Sequence, residues 1–159
     1  MTTPILALVC SMPGAGKTTL AVRLAERYPA IRMCPDEWFV PLGLDTHDAR
    51  LRDRFERLQW AQTQQLLRIG TSVVVEFGLW ARSERERKLR VGREMGVRVE
   101  LHVLDVDLDE RWRRLQLRNR RPGSVQISRE QLEGWQRFWS PPDAAELAAF
   151  DPPVHRGGG

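Results

Sequence analysis

Ser11-Met12-Pro13-Gly14-Ala15-Gly16-Lys17-Thr18 lies between a short apolar run, Ile5 to Cys10, and a stretch carrying Leu20, Leu24 and Tyr28 at helical spacing. Apart from Ser11 in place of the first glycine, the octet fits the pattern GxxxxGK[ST] of a loop that wraps phosphate groups. Gly14 and Gly16 let successive backbone N–H groups turn toward one point, and the helix that follows adds the positive end of its dipole. Lys17 can reach the β- and γ-phosphates of a nucleoside triphosphate, and Thr18 can offer its hydroxyl to a bridging Mg²⁺ ion. Pro13, Ala15 and Thr19 complete the expected phosphate site. Of 25 basic residues 23 are arginine, leaving only Lys17 and Lys88 as lysine. A compact ammonium suits a closed loop better than a planar fork on a longer stem, which accounts for the lysine at position 17.

Outward from this loop, strand and helix alternate. Ile5–Cys10, Ile31–Cys34, Ser72–Phe77 and Val97–Leu104 read as strands, the first apolar enough to be buried on both faces of a parallel sheet. Helices are expected from Lys17 to Tyr28 and from Asp48 to Ile69, the second with its apolar stripe on Leu51, Phe55, Leu58, Gln62, Leu66 and Ile69. Ser83 with Glu86, Asp107 with Glu110 and Ser128 with Gln131 are capping-box pairs that open three more, and the last of these bears Leu132, Trp135 and Trp139. Parallel neighbours need crossover helices, so the expected fold class is α/β, a three-layer α/β/α sandwich on a parallel sheet of four to five strands. At 159 residues one domain is expected, over residues 1–150, followed by a Pro- and Gly-punctuated tail, 151–159, expected to be disordered.

Composition narrows the function classes. No run approaches the roughly 18 apolar residues of a membrane helix. The apolar N-terminus has no basic region before it, so it reads as a strand and the cytoplasm is the expected location. Cys10 and Cys34 lack metal-ligand or disulfide-framework spacing. The net charge of +4 is spread along the chain and interleaved with acids, favouring a solvated Arg-rich surface over a nucleic-acid surface.

Candidate chemistry gathers at the carboxyl ends of the strands. Asp36, just after the second strand, is placed to accept the proton of an attacking hydroxyl or to help hold Mg²⁺ through water, the alternative being a carboxylate that caps a turn. Glu76, closing the third strand, is either a substrate or metal-water ligand or a buried acid paired with an arginine. Trp38, Trp80, Arg82 and Arg85 are candidate acceptor contacts. Arg111, Arg114, Arg118 and Arg121 form one row beside an apolar stripe. That row is either a solvated face or a source of catalytic guanidinium groups, with Arg118 and Arg121 favoured, under a lid over Arg121 to Ile127. His102 reads as a packed residue.

The loop Ser11–Thr18, together with Asp36-Glu37-Trp38 and Glu76-Phe77-Gly78-Leu79-Trp80, resembles the small P-loop kinase-like AAA proteins. More distantly the chain is similar to zeta toxins, chloramphenicol phosphotransferase and the kinase domain of polynucleotide kinase, over roughly Ile5 to Trp139. The resemblance implies a P-loop NTPase fold of nucleotide-kinase type with ATP on the loop. It also implies Asp36 as general base and Arg114, Arg118 and Arg121 in the lid. The activity so implied is transfer of the γ-phosphoryl group of ATP to a hydroxyl of a small molecule. Two other readings stay open: a polynucleotide 5′-hydroxyl kinase, and an ATPase or switch without acceptor in which Asp105 acts as the second acidic motif. Only the phosphate loop is a specific motif; Ser11 and the missing clear fifth strand depart from the pattern.

Overall fold

The computed structural model describes residues 2–154. Its elements in chain order are β1 (Ile5–Ser11), α1 (Lys17–Arg27), β2 (Ile31–Met33), α2 (Pro35–Phe39), α3 (Ala49–Arg68), β3 (Val73–Gly78), α4 (Arg82–Glu94), β4 (Arg98–Leu104), α5 (Leu108–Asn119), α6 (Arg129–Gln136) and α7 (Ala144–Ala148). The sheet runs β2-β3-β1-β4, every pair parallel, with Leu6 opposite Val73 and Val99, and Leu8 opposite Val75 and Leu101. The α/β three-layer reading therefore holds, with four strands among the described residues.

The alternation of β1 decides the layers. Ile5, Ala7 and Val9 face α1, packing on Ala21, Leu24 and Tyr28. Leu6 and Leu8 face the opposite layer, where Leu67 of α3 and Leu89 of α4 meet Val73, Val75 and Val99. A strand buried on both faces contributes roughly 1.5–3 kcal/mol per large apolar side chain, which is why β1 reads as unbroken hydrophobic sequence. Leu115, Ile127 and Leu132 form a smaller core that fastens α5 and α6 at the carboxyl edge of the sheet.

Several local expectations shift. In α3 the buried residues are Gln59, Thr63 and Leu67, and Leu66 of the expected stripe packs against the core, while Leu58 and Ile69 are 69% and 77% exposed. The stripe is split because Phe55 packs on Phe39 of α2, centroids 5.0 Å apart, and α2 is an element the apolar pattern does not announce. Thr63 is tolerated inside because its hydroxyl donates to the Gln59 carbonyl at 2.8 Å. Helix α4 starts before the expected cap: the Glu84 carboxylate accepts from the Ala81 N–H at 3.2 Å, and Ser83 lies inside the first turn. The Ser128–Gln131 box forms as read. Beyond α7, Asp151 exchanges hydrogen bonds with Val99 through its backbone N–H and its carboxylate, and the Val154 N–H donates to Glu100 at 3.1 Å. The remainder of the expected tail, residues 155–159, lies outside the described residues.

Candidate active site

Between β1 and α1 the loop turns on Gly14 and Gly16, whose φ angles of 84° and 93° belong to the left-handed region that glycine enters freely. Gly14 has a second constraint. A Cβ there would stand 2.8 Å from the Arg111 carbonyl oxygen and 2.9 Å from Leu115 Cγ, so α5 rests directly on the loop. Lys17 lines the cleft above and has no ion pair among the described residues. The Thr18 hydroxyl donates to Glu76 at 2.6 Å; Glu76, 1% exposed, also accepts from Arg32 at 3.0 Å, and Arg32 continues to Glu37 at 2.7 Å. Of the two readings of Glu76, its contacts are those of the buried acid paired with an arginine, and its second oxygen stands behind the threonine hydroxyl. No cluster of three or more His, Cys, Asp or Glu side chains able to hold a metal exists among the described residues. A lone hydroxyl backed by an acid instead suits Mg²⁺, which keeps waters and takes phosphate oxygens for the remaining positions.

A cleft of about 1110 Å³ opens over the loop. It is lined by the loop residues Pro13, Gly14, Gly16, Lys17, Thr18 and Thr19, and by Asp36, Glu76, Trp80, Arg114, Arg118 and Arg121 from the other expected positions. Ala15 is buried beneath the loop. Asp36 sits in the first turn of α2 with Oδ1 2.5 Å from Arg52 Nη2, a partner that sequence reading misses. Cys34 marks how close these charges lie. Burial is the main cause that pushes its thiol to about 11, and Glu76, Lys17 and Asp36 all act on it. Asp36 and the phosphate loop therefore face one space.

The arginine row divides by role. Arg111 is 1% exposed and donates to the Val106 carbonyl at 2.9 Å and to Gln136, tying α5 to its neighbours. Arg114 reaches the Ala15 carbonyl at 3.2 Å while pairing with Glu110. Arg118 lines the cleft with a buried Nε that has no partner, and its desolvation, opposed by Asp36, lowers its pKa from the ordinary value. An anion in the cleft would satisfy it. Arg121 stands at the rim, where the 121–127 segment meets the α2–α3 connection through His47 Nε2 and the Gln126 carbonyl, 2.9 Å apart. The His47 ring also stacks on Trp135, centroids 6.5 Å apart.

Four expected acceptor contacts separate. Trp80 lines the cleft and donates from Nε1 to the Ser11 carbonyl at 3.0 Å. Trp38 is 57% exposed, leans on Phe55 and does not line the cleft. Arg82 lies outside it, paired with Glu86 at 2.6 Å. Arg85 is wholly buried, bound through Nε to Glu146 at 2.6 Å and through Nη1 to the Leu79 and Trp80 carbonyls at 3.0 and 3.1 Å. It clamps the turn after β3, where Leu79 holds a left-handed φ of 55°. His102 is half-buried against Glu100, as read. Phe77, within the quoted run at the end of β3, also lines the cleft, whereas Arg52, Glu56, Glu84, His47 and Trp135 do so without any signal for a site in the linear pattern, because helix phase and loop return bring them there.

The family model described as AAA domain matches residues 6–142. No curated protein sequence matches the chain. Among solved structures, a chain of the Pnkp1/Rnl/Hen1 RNA repair complex superposes with a TM-score of 0.69 at 18% identity, covering 93% of this chain and 45% of that one. This chain thus spans less than half of that relative's length. Kti12 of Chaetomium thermophilum, in complex with ADP-AlF3, gives a TM-score of 0.65 at 18% identity over 88% of this chain and 82% of that chain. A putative kinase from Chloroflexus aurantiacus gives 0.62 at 21% identity, over 99% and 85% respectively. These likenesses are of fold, a P-loop, kinase-like one.

Proposed function

This chain belongs to the AAA-domain family, and from that premise we propose that it is an ATP-dependent kinase that moves the γ-phosphoryl group to a hydroxyl of a small acceptor. The observation that carries the reading is one cleft in which the phosphate loop, an acid just after β2 and an arginine whose buried Nε has no partner converge.

The loop N–H groups and Lys17 hold the β- and γ-phosphates at the start of α1. Thr18, with Glu76 behind it, would hold Mg²⁺, which supplies charge neutralisation between those phosphates. Asp36, fixed through Oδ1 by Arg52, accepts the acceptor's hydroxyl proton as its oxygen bonds to the γ-phosphorus. The bond from that phosphorus to the β–γ bridging oxygen breaks and ADP leaves with the electron pair. Arg118 and Arg121 face the charge that spreads over the transferring oxygens, and Arg114 steadies the loop from α5.

The test is transfer of label from γ-labelled ATP into pooled hydroxyl-bearing metabolites. Asp36→Asn is expected to keep nucleotide affinity within about threefold and to lose transfer by about 100-fold or more, the range of a removed general base. Equal transfer by Asp36→Asn and the parent would remove Asp36 from the base role.

A further inference from the structure

Arg32, on β2, does not line the cleft, yet it joins two acids that do. Its Nη2 alone makes both contacts, 3.0 Å from Glu76 Oε2 and 2.7 Å from Glu37 Oε1. The other oxygen of Glu76 accepts the Thr18 hydroxyl proton, at 2.6 Å. We propose that Arg32 is a positioning residue for the cation site: it holds Glu76 in the orientation that takes the Thr18 proton, so that the lone pairs of that hydroxyl stay free for Mg²⁺. The proposal rests on the reading in which ATP and Mg²⁺ occupy the loop, and deepens it.

A hydroxyl has one proton and two lone pairs, and the direction of the proton decides which side of the oxygen can meet a cation. An ionised carboxylate only accepts, so it fixes that direction where a second hydroxyl or an amide would leave it open. The Glu76 side chain is fully buried, and its Oε2 then needs a donor of its own. Among the described residues Arg32 is that donor. The last torsion of a glutamate has a broad preference and no sharp well, so a carboxylate released at Oε2 is free to turn away from Thr18.

The arrangement carries a cost, because the Arg32 Nε is buried without a partner. Buried charged pairs are often no more stable than apolar residues of the same volume, so stability alone gives little reason for this guanidinium behind the phosphate loop. Orientation of Thr18 gives one. Glu37 is the neighbour of Asp36 in the first turn of α2, so the same nitrogen also ties the cation side of the cleft to the helix that carries the base.

The experiment titrates a non-hydrolysable ATP analogue into the protein by calorimetry, once with Mg²⁺ and once with EDTA, and reads the gain in affinity that Mg²⁺ brings. Arg32→Met is expected to cut that gain about fivefold or more while affinity in EDTA stays within about twofold, the loss of one charge-assisted contact. Arg32→Lys should restore most of the gain, since one nitrogen makes both contacts and an ammonium offers three donors. On a Glu76→Gln background, Arg32→Met should add no more than about twofold, because a residue that acts through another adds nothing once that other is changed. Melting temperatures confirm folding, and Arg32→Gln, whose amide ends short of both acids, replaces Arg32→Met should the latter unfold. An unchanged gain in the folded variant, an equal loss with Mg²⁺ and with EDTA, a further loss on the Glu76→Gln background, or a lysine as poor as methionine overturns the positioning role alone. A parent protein that binds the analogue no better with Mg²⁺ overturns the cation site at Thr18, and one that does not bind it at all overturns the kinase reading.

Discussion

At the scale of single residues, the cleft holds side chains that cost the unliganded protein stability. Glu56 has its pKa raised by burial from 4.5 to about 7. A carboxyl whose folded pKa exceeds its unfolded one makes the native state bind more protons, so its contribution to stability is greatest below pH 4.5. That contribution falls as pH rises through 7. Glu56→Gln is therefore expected to raise stability at pH 8 by about 1–3 kcal/mol, with the gain shrinking toward zero near pH 4.5. Urea unfolding at both pH values checks this; a gain independent of pH would deny that the carboxyl titrates in a buried setting. Lys17 and Thr18 were legible in the sequence because eight adjacent residues carry the whole phosphate motif. Glu56 and Arg52 were not, because a charged residue on a helix reads as solvated until a neighbouring element covers it.

At the scale of elements, the carboxyl end of β3 is held by a device built across 61 residues. The Arg85–Glu146 pair joins α4 to α7 and fixes the Leu79 and Trp80 carbonyls, so the strained turn keeps Trp80 against the phosphate loop. Removing one partner of a buried pair leaves an uncompensated charge. Glu146→Gln should thus cost roughly 3–5 kcal/mol, and Arg82→Ala on the exposed face of α4 within about 0.5 kcal/mol. Thermal unfolding distinguishes them, and equal effects would mean that Arg85 is no clamp. Arg82 and Arg85 look alike in sequence, and only the helix phase relative to α7 separates an exposed pair from a buried one. The same limit explains α3. Its 3.6-residue period was readable, but which side faces the sheet depended on Phe55 finding α2, an element of five residues with no periodic signature.

At the scale of the whole molecule, parallel strands send their carboxyl ends to one edge, where β1, β2 and β3 deliver the loop, Asp36 and Glu76 into one cleft. The layer order followed from strand and helix alternation alone, which is why the fold was readable from the chain before any contact was known. The remaining walls of the cleft were not, since long-range packing brings α3, α4 and the 121–127 segment to it. Everything proposed for the chemistry depends on a polyphosphate seated between Lys17 and the amides of Gly14 to Thr18. The direct measurement is calorimetric titration with Mg²⁺ and a non-hydrolysable ATP analogue. The parent protein is expected to bind one equivalent, and Lys17→Ala to lose affinity by about 100-fold or more, the loss of a charge-assisted contact to two phosphates. A parent protein that takes up no nucleotide, or a Lys17→Ala variant that binds as the parent does, would contradict the account.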